Sequence, residues 1–153
     1  MSSVCVHASC VAFGTKAVLI RGKSGSGKSD LVLQLIDAQG FGLGAKLLRA
    51  KLVADDQVFL LREDDKVFAS PPEILAGKLE VRGRGIFVVP FRKKVKLACV
   101  IDLMPQSEIN RMPEPAQMMT DILGLQFPTY CVDPTKPSAA SRIRSFQGEM
   151  RFT

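Results

Sequence analysis

Residues 22–29 read Gly22-Lys23-Ser24-Gly25-Ser26-Gly27-Lys28-Ser29, a full match to the phosphate-loop pattern G-x-x-x-x-G-K-[ST]. Small residues at these positions let backbone N–H groups converge on phosphate oxygens at a helix N-terminus. The motif therefore demands a strand before it and a helix after it. Ala17-Val18-Leu19-Ile20 is an unbroken apolar run, as in a strand buried on both faces. Over residues 29–38, Leu31, Val32, Leu35 and Ile36 fall on one helical face, with Gly40 as the candidate C-terminal cap. This unit predicts an α/β domain that binds a nucleoside triphosphate. Lys28 is expected to reach the β/γ-phosphates, and the Ser29 hydroxyl to ligate the Mg²⁺ that bridges them.

Elsewhere strand signals outnumber helix signals. Residues 4–11 read as one short strand, residues 51–54 as a second strand ending in Asp55-Asp56, and residues 58–61 and 67–69 as a hairpin. Pro71-Pro72 breaks the chain, residues 79–89 form a glycine-punctuated segment, and residues 95–103 are a strong strand candidate. Residues 105–115 read as a proline-rich loop and residues 116–123 as a short helix. The expectation is a mixed sheet with few helices.

A length of 153 residues suits one domain. No apolar run is long enough for a membrane span, and the first residues lack a signal-peptide pattern, so the expected location is the cytoplasm with no membrane partner. The four cysteines lack CxxC pairing and His7 is the single histidine, which argues against zinc and for reduced, mostly packed thiols. The net charge of +6 suits nucleotide phosphates or an acidic partner protein. The densest basic run, Arg92, Lys93, Lys94 and Lys96, has no interleaved aromatics and reads as a basic strand edge rather than a nucleic-acid platform.

Metal-assisted phosphoryl transfer needs a carboxylate near the loop serine and another for the acceptor proton. Asp55-Asp56 ends the strand after the loop helix and is expected to share the loop's rim, as the strand next to the loop. Successive strand side chains point to opposite faces, so the pair can divide two tasks. Asp102 ends another apolar run and reads as a turn residue, since Pro105 follows. His7, taken alone, reads as an ordinary surface or core histidine.

The order His7, GKSGSGKSD at 22–30, LVADDQV at 52–58 and LEVRGRGI at 79–86 resembles the catalytic domain of HPr kinase/phosphorylase. The LEVRGRGI element is the specific part, because phosphate loops are common and this signature is not. The segments Ile122-Leu123-Gly124 and Phe127-Pro128 also resemble the family's last strand region, so the likeness covers most of the chain. It implies a P-loop domain of the phosphoenolpyruvate-carboxykinase-like kind, here a single domain over 1–153. It further implies an ATP- and Mg²⁺-dependent serine kinase whose acceptor is the phosphocarrier HPr, with the reverse phosphorolysis as a second family activity and a hexamer as the family's oligomer.

The resemblance also assigns roles. Asp56 matches the acid that takes the seryl proton, and Asp55 assists it. Glu80 matches a Mg²⁺ ligand beside Ser29, Arg82 with Gly83 and Gly85 the signature loop, and His7 an active-site histidine. Arg111 is the match to a catalytic arginine. The chain resembles short, alphaproteobacterial-type forms without an N-terminal domain, and ends at Thr153 before the family's C-terminal helices. Lys23 and Asp30 replace the family's acids flanking the loop, and residues 135–139 replace the Pro-Gly-Arg-Asn element tied to phosphorolysis. A small-molecule kinase and a nucleotide-binding regulatory module without transfer activity are the alternative readings.

Overall fold

A computed structural model describes residues 2–112, 114 and 118–147. Eleven strands and two α-helices are formed among them: β1 (Ser3–Val6), β2 (Ser9–Phe13), β3 (Lys16–Arg21), α1 (Lys28–Asp37), β4 (Lys51–Ala54), β5 (Val58–Glu63), β6 (Lys66–Ser70), β7 (Lys78–Val81), β8 (Gly85–Val88), β9 (Val95–Leu103), β10 (Met119–Ile122), β11 (Leu125–Val132) and α2 (Ala139–Ser145). Nine strands make a curled mixed sheet: seven run in the order β1-β5-β6-β9-β3-β2-β4, and β11 branches from β9 with β10 on its other side; β7 and β8 form a separate two-stranded hairpin. The expected mixed α/β fold with few helices is present.

The loop strand β3 lies at the centre, parallel to β9 and antiparallel to β2. Its alternation feeds two cores. Ala17 and Leu19 join Val53, Leu60 and Phe127 on one face, while Val18 and Ile20 join Leu31, Leu35 and Ile143 beneath the helices on the other. All four apolar residues of β3 are at most 1% exposed, as a doubly covered strand requires.

Strand directions explain the site. β2 is antiparallel to both β3 and β4, so β3 and β4 run the same way and end at one rim, where β2 begins. β9 and β11 are parallel to β3 and end there too. The common rim was expected, but β4 is not the neighbour of β3, because β2 intervenes.

Other expectations are corrected. Residues 4–11 are not one strand: the chain leaves β1, which pairs with β5 at one side of the sheet, and crosses at His7 and Ala8 to β2 on the other. Of the helix expected over 116–123, residues 116 and 117 lie outside the described residues, and Met119–Ile122 is a strand paired antiparallel with β11. Pro113 and Pro115 of the expected proline-rich loop, and the end at Thr153, also lie outside them. Helix α1 is capped at Ala38, not Gly40. Gly40 instead bridges to Leu48, and a Cβ on it would meet Arg144 Nη1 at 2.8 Å. That arginine is buried and donates to the carbonyls of Ala38 and Gln34, which ties α2 to the end of α1. The basic run lies before and at the start of β9, an interior strand rather than an edge. Lys94 pairs with Glu63 and stands over the Phe68 ring, and Arg92 donates to Gly14 O. Of the four thiols, Cys10 and Cys99 are buried, Cys131 is half-buried and Cys5 is exposed; burial pushes Cys99 up to about 11 and Cys10 higher still.

Candidate active site

Glycine at position 27 is required by the loop's exit. Gly27 has φ 103° as N-cap of α1, and a Cβ there would press on Pro134 at 3.2 Å. Lys28 opens the helix, is only 6% exposed, and donates from Nζ to the carbonyls of Gly22 (2.7 Å) and Lys23 (3.0 Å). Its ammonium is thus held inside the loop by two neutral acceptors, and among the described residues no carboxylate pairs with it. The Ser26 hydroxyl is buried without a hydrogen-bond partner among the described residues. The loop, the first turn of α1, the end of β4 and the end of β7 enclose a cavity of about 490 Å³.

Two neighbouring aspartates serve different ends. Asp55 is buried and accepts from Ser9 Oγ (2.9 Å) and from Ser29 Oγ (2.9 Å to Oδ1, 3.2 Å to Oδ2). It therefore fixes the loop serine to the end of β4. Asp56 has φ 71°, and Gln57 N–H closes back on Asp55 O at 2.9 Å, making a three-residue turn centred on Asp56. This turn swings the Asp56 carboxylate out, leaving it 66% exposed at the cavity with His7 Nδ1 3.3 Å from Oδ1. A left-handed aspartate next to a buried one is a local strain of the kind concentrated at functional sites.

Of the residues singled out in the sequence, Ser24, Gly25, Gly27, Lys28, Ser29, Asp55, Asp56, Glu80 and Arg82 line this cavity. His7 reaches it through Asp56. Gly22, Lys23 and Ser26 form the loop's own frame rather than the lining. Arg111 is exposed on the segment after β9 and does not line the cavity. Asp102 is no turn residue: it lies within β9, opposite Arg21 in register, and takes a bidentate pair from Arg21 Nε (2.8 Å) and Nη2 (2.9 Å).

Ser9 had no sequence signal, because a serine in an apolar strand looks like any other until β2 is seen to start at the rim beside Asp55. Asp133 and Pro134 were likewise missed. Asp133 accepts from Thr135 Oγ1, Thr135 N–H and Gln106 N–H, which hold its carboxyl below the ordinary range and brace the turn against Gly27.

The donor set can be weighed against a metal. Among the described residues no three His, Cys, Asp or Glu side chains form a ready cage. Mg²⁺ needs none, since it is held by one or two protein oxygens together with phosphates and water. Ser29, Asp55 and Glu80 offer hard oxygens on one cavity, and this fits.

Fold and site thus define a mixed α/β domain with a glycine loop, a helix N-terminus and rim carboxylates facing one polar cavity. The family profile described as HPr Serine kinase C-terminal domain matches residues 1–142, and the chain belongs to that family. Similar proteins include the HPr kinase/phosphorylases of Burkholderia cenocepacia and Paraburkholderia phymatum, each 38% identical over 71% of this chain and 33% of the relative. The chain spans about a third of the length of these curated relatives. A solved structure, the Hpr(Ser) kinase/phosphatase from Coxiella burnetii, superposes with a TM-score of 0.77 at 25% identity, covering 94% of this chain and 93% of that one.

Proposed function

We propose that this chain is a single catalytic domain, over 1–153, of a cytoplasmic protein-serine kinase that transfers the γ-phosphoryl of ATP to a seryl hydroxyl of HPr. The fold would be the P-loop kind of phosphoenolpyruvate carboxykinase, and the assembly a homo-oligomer, a hexamer by family likeness. The observation that carries the reading is the convergence of Lys28, Ser29, Asp55 and Asp56 on one cavity at the glycine loop.

Lys28 would exchange its two loop carbonyls for the β/γ-phosphate oxygens, with no carboxylate to break away from. Ser29 and Glu80 would hold Mg²⁺, which when bound neutralises charge on the β- and γ-phosphates. Asp55 accepts the Ser29 hydroxyl proton, which would leave the oxygen's lone pairs free for the metal. Asp56, exposed and beside His7, would take the seryl proton as the Oγ–phosphorus bond forms and the bond from the γ-phosphorus to the bridging oxygen breaks. In phosphorolysis an oxygen of inorganic phosphate would bond to the phosphoserine phosphorus as its bond to Oγ breaks, giving pyrophosphate, and the same carboxyl would return the proton to serine.

The test is transfer of label from γ-labelled ATP to HPr, beside small hydroxyl acceptors, with and without Mg²⁺. Labelled phosphoserine on HPr is the expected result. Label on a small acceptor alone would make this a small-molecule kinase, and nucleotide binding without transfer a regulatory module.

A further inference from the structure

A second cavity, of about 820 Å³, opens between the side of α1 and the β7–β8 hairpin. It shares Leu33 and Val81 with the phosphate-side cavity, so the two adjoin across these side chains. Its floor is apolar: Leu33, Ile36, Leu79, Phe87 and Val89. Of helix α1 the cavity meets Leu33, Ile36 and Asp37, a span of about 6 Å at 1.5 Å per residue. The groove's apolar floor suits the side chains of a peptide segment better than a nucleoside base, whose polar edges would meet mostly hydrocarbon.

The rim is predominantly basic. Arg49, Lys51 and Arg84 border the groove, against Asp37 as the acid, and none of the three cations forms an ion pair among the described residues. The net charge of +6 points the same way. The hairpin is the shared wall. Glu80 and Arg82 border the phosphate side, whereas Leu79, Phe87 and Val89 border the groove.

Resting on the kinase reading, we propose that this groove docks the acceptor protein through an acidic segment with apolar anchors lying next to its target serine. With the serine at Asp56, the flanking residues run along the hairpin wall, apolar side chains on Phe87 and carboxylates on Arg49, Lys51 and Arg84. Phe87 is 43% exposed and ready to be covered. Val88, on the opposite face of the same strand and 83% exposed, does not line the groove.

The experiment measures binding of a fluorescent seryl peptide carrying Leu and Glu beside its serine, by anisotropy, with ADP binding followed by calorimetry on the same protein. Phe87→Glu should weaken the peptide roughly 30-fold or more, as loss of a central anchor does, and Phe87→Ala less. Val88→Glu should bind as wild type, and ADP affinity should be equal in all. A peptide with Lys in place of Glu should bind more weakly, the gap narrowing as salt rises. Unchanged peptide binding in Phe87→Glu, equal loss in Val88→Glu, or equal binding of the Lys peptide would overturn the proposal. Loss of ADP affinity in Phe87→Glu would instead make the groove a nucleoside site. Binding requires no transfer, so the groove can stand where the kinase assay fails. Transfer to HPr with an unchanged KM in Phe87→Glu would sink the groove alone.

Discussion

On one wall of the phosphate-side cavity Lys28 and Asp55 are buried against the nine-stranded sheet, whereas on the other all of β8 lies exposed on a two-stranded hairpin. The first wall is tied down from several directions. Asp55 is held by Ser9 and Ser29, Lys28 by the loop carbonyls, and the loop's exit by Pro134. The hairpin is anchored chiefly by Leu79, with Val89 N–H bonded to Gly77 O and Arg92 N–H to Leu52 O at its base. Phosphates have one geometry and reward a rigid cradle, while the protein acceptor proposed above would have to enter and leave. The difference between the walls follows that division.

The largest effects should come from the rigid wall. Lys28→Ala should leave no measurable transfer and weaken ATP binding, because it removes the one charge held inside the loop. Wild-type activity in this variant would place the chemistry elsewhere. Asp56→Asn should lose about 10²–10⁴-fold in turnover with ATP affinity nearly intact, the mark of a base acting in the transition state. Asp55→Asn should instead raise the requirement for Mg²⁺, since Asp55 orients Ser29. If Asp55→Asn proves dead and Asp56→Asn nearly normal, the two roles are exchanged.

The hairpin should respond locally. Amides of β8 should exchange with deuterium faster than those of β3, and Leu79→Ala should accelerate exchange over residues 78–88 about 30-fold, equivalent to the roughly 2 kcal/mol at the low end for a buried leucine truncation. An equal acceleration in β3 would show that the hairpin and the sheet open as one unit, erasing the contrast between the walls.

The smallest effect concerns the turn behind Gly27. Hydrogen bonds from Thr135 and Gln106 depress the Asp133 pKa, so this group's contribution to stability is complete above its unfolded value and is lost as pH falls through the folded one. Asp133→Asn should therefore flatten the decline of Tm below about pH 4 and leave Tm against pH unaltered in slope near neutrality. A wild-type acid limb in the variant would remove Asp133 from the bracing of the loop.

Much of the rigid wall was legible because its geometry is local. A glycine loop between an apolar strand and a helix is written in consecutive residues, and so is a strand that ends in two aspartates. The hairpin was legible only as a run of glycines between β-formers, and its membership of the cavity came from the family signature. Two features depended on partners far away in sequence. Met119–Ile122 is a strand because β11 offers it an edge, which overrides a local pattern compatible with helix. Asp102 is an ion-pair partner because the register of β3 on β9 sets Arg21 opposite it.

The sequence by itself determined the phosphate loop, the doubly buried strand beneath it and the presence of two carboxylates at its rim, since each rests on steric and periodic rules acting within a few residues. Only the tertiary structure decided how those carboxylates differ. The antiparallel insertion of β2 between β3 and β4 brings Ser9 to Asp55 and buries it, and the turn at φ 71° sends Asp56 outward to His7. Two adjacent, chemically identical side chains acquire separate tasks because burial and hydrogen bonding depend on which strands pair, and pairing is a property of the whole sheet.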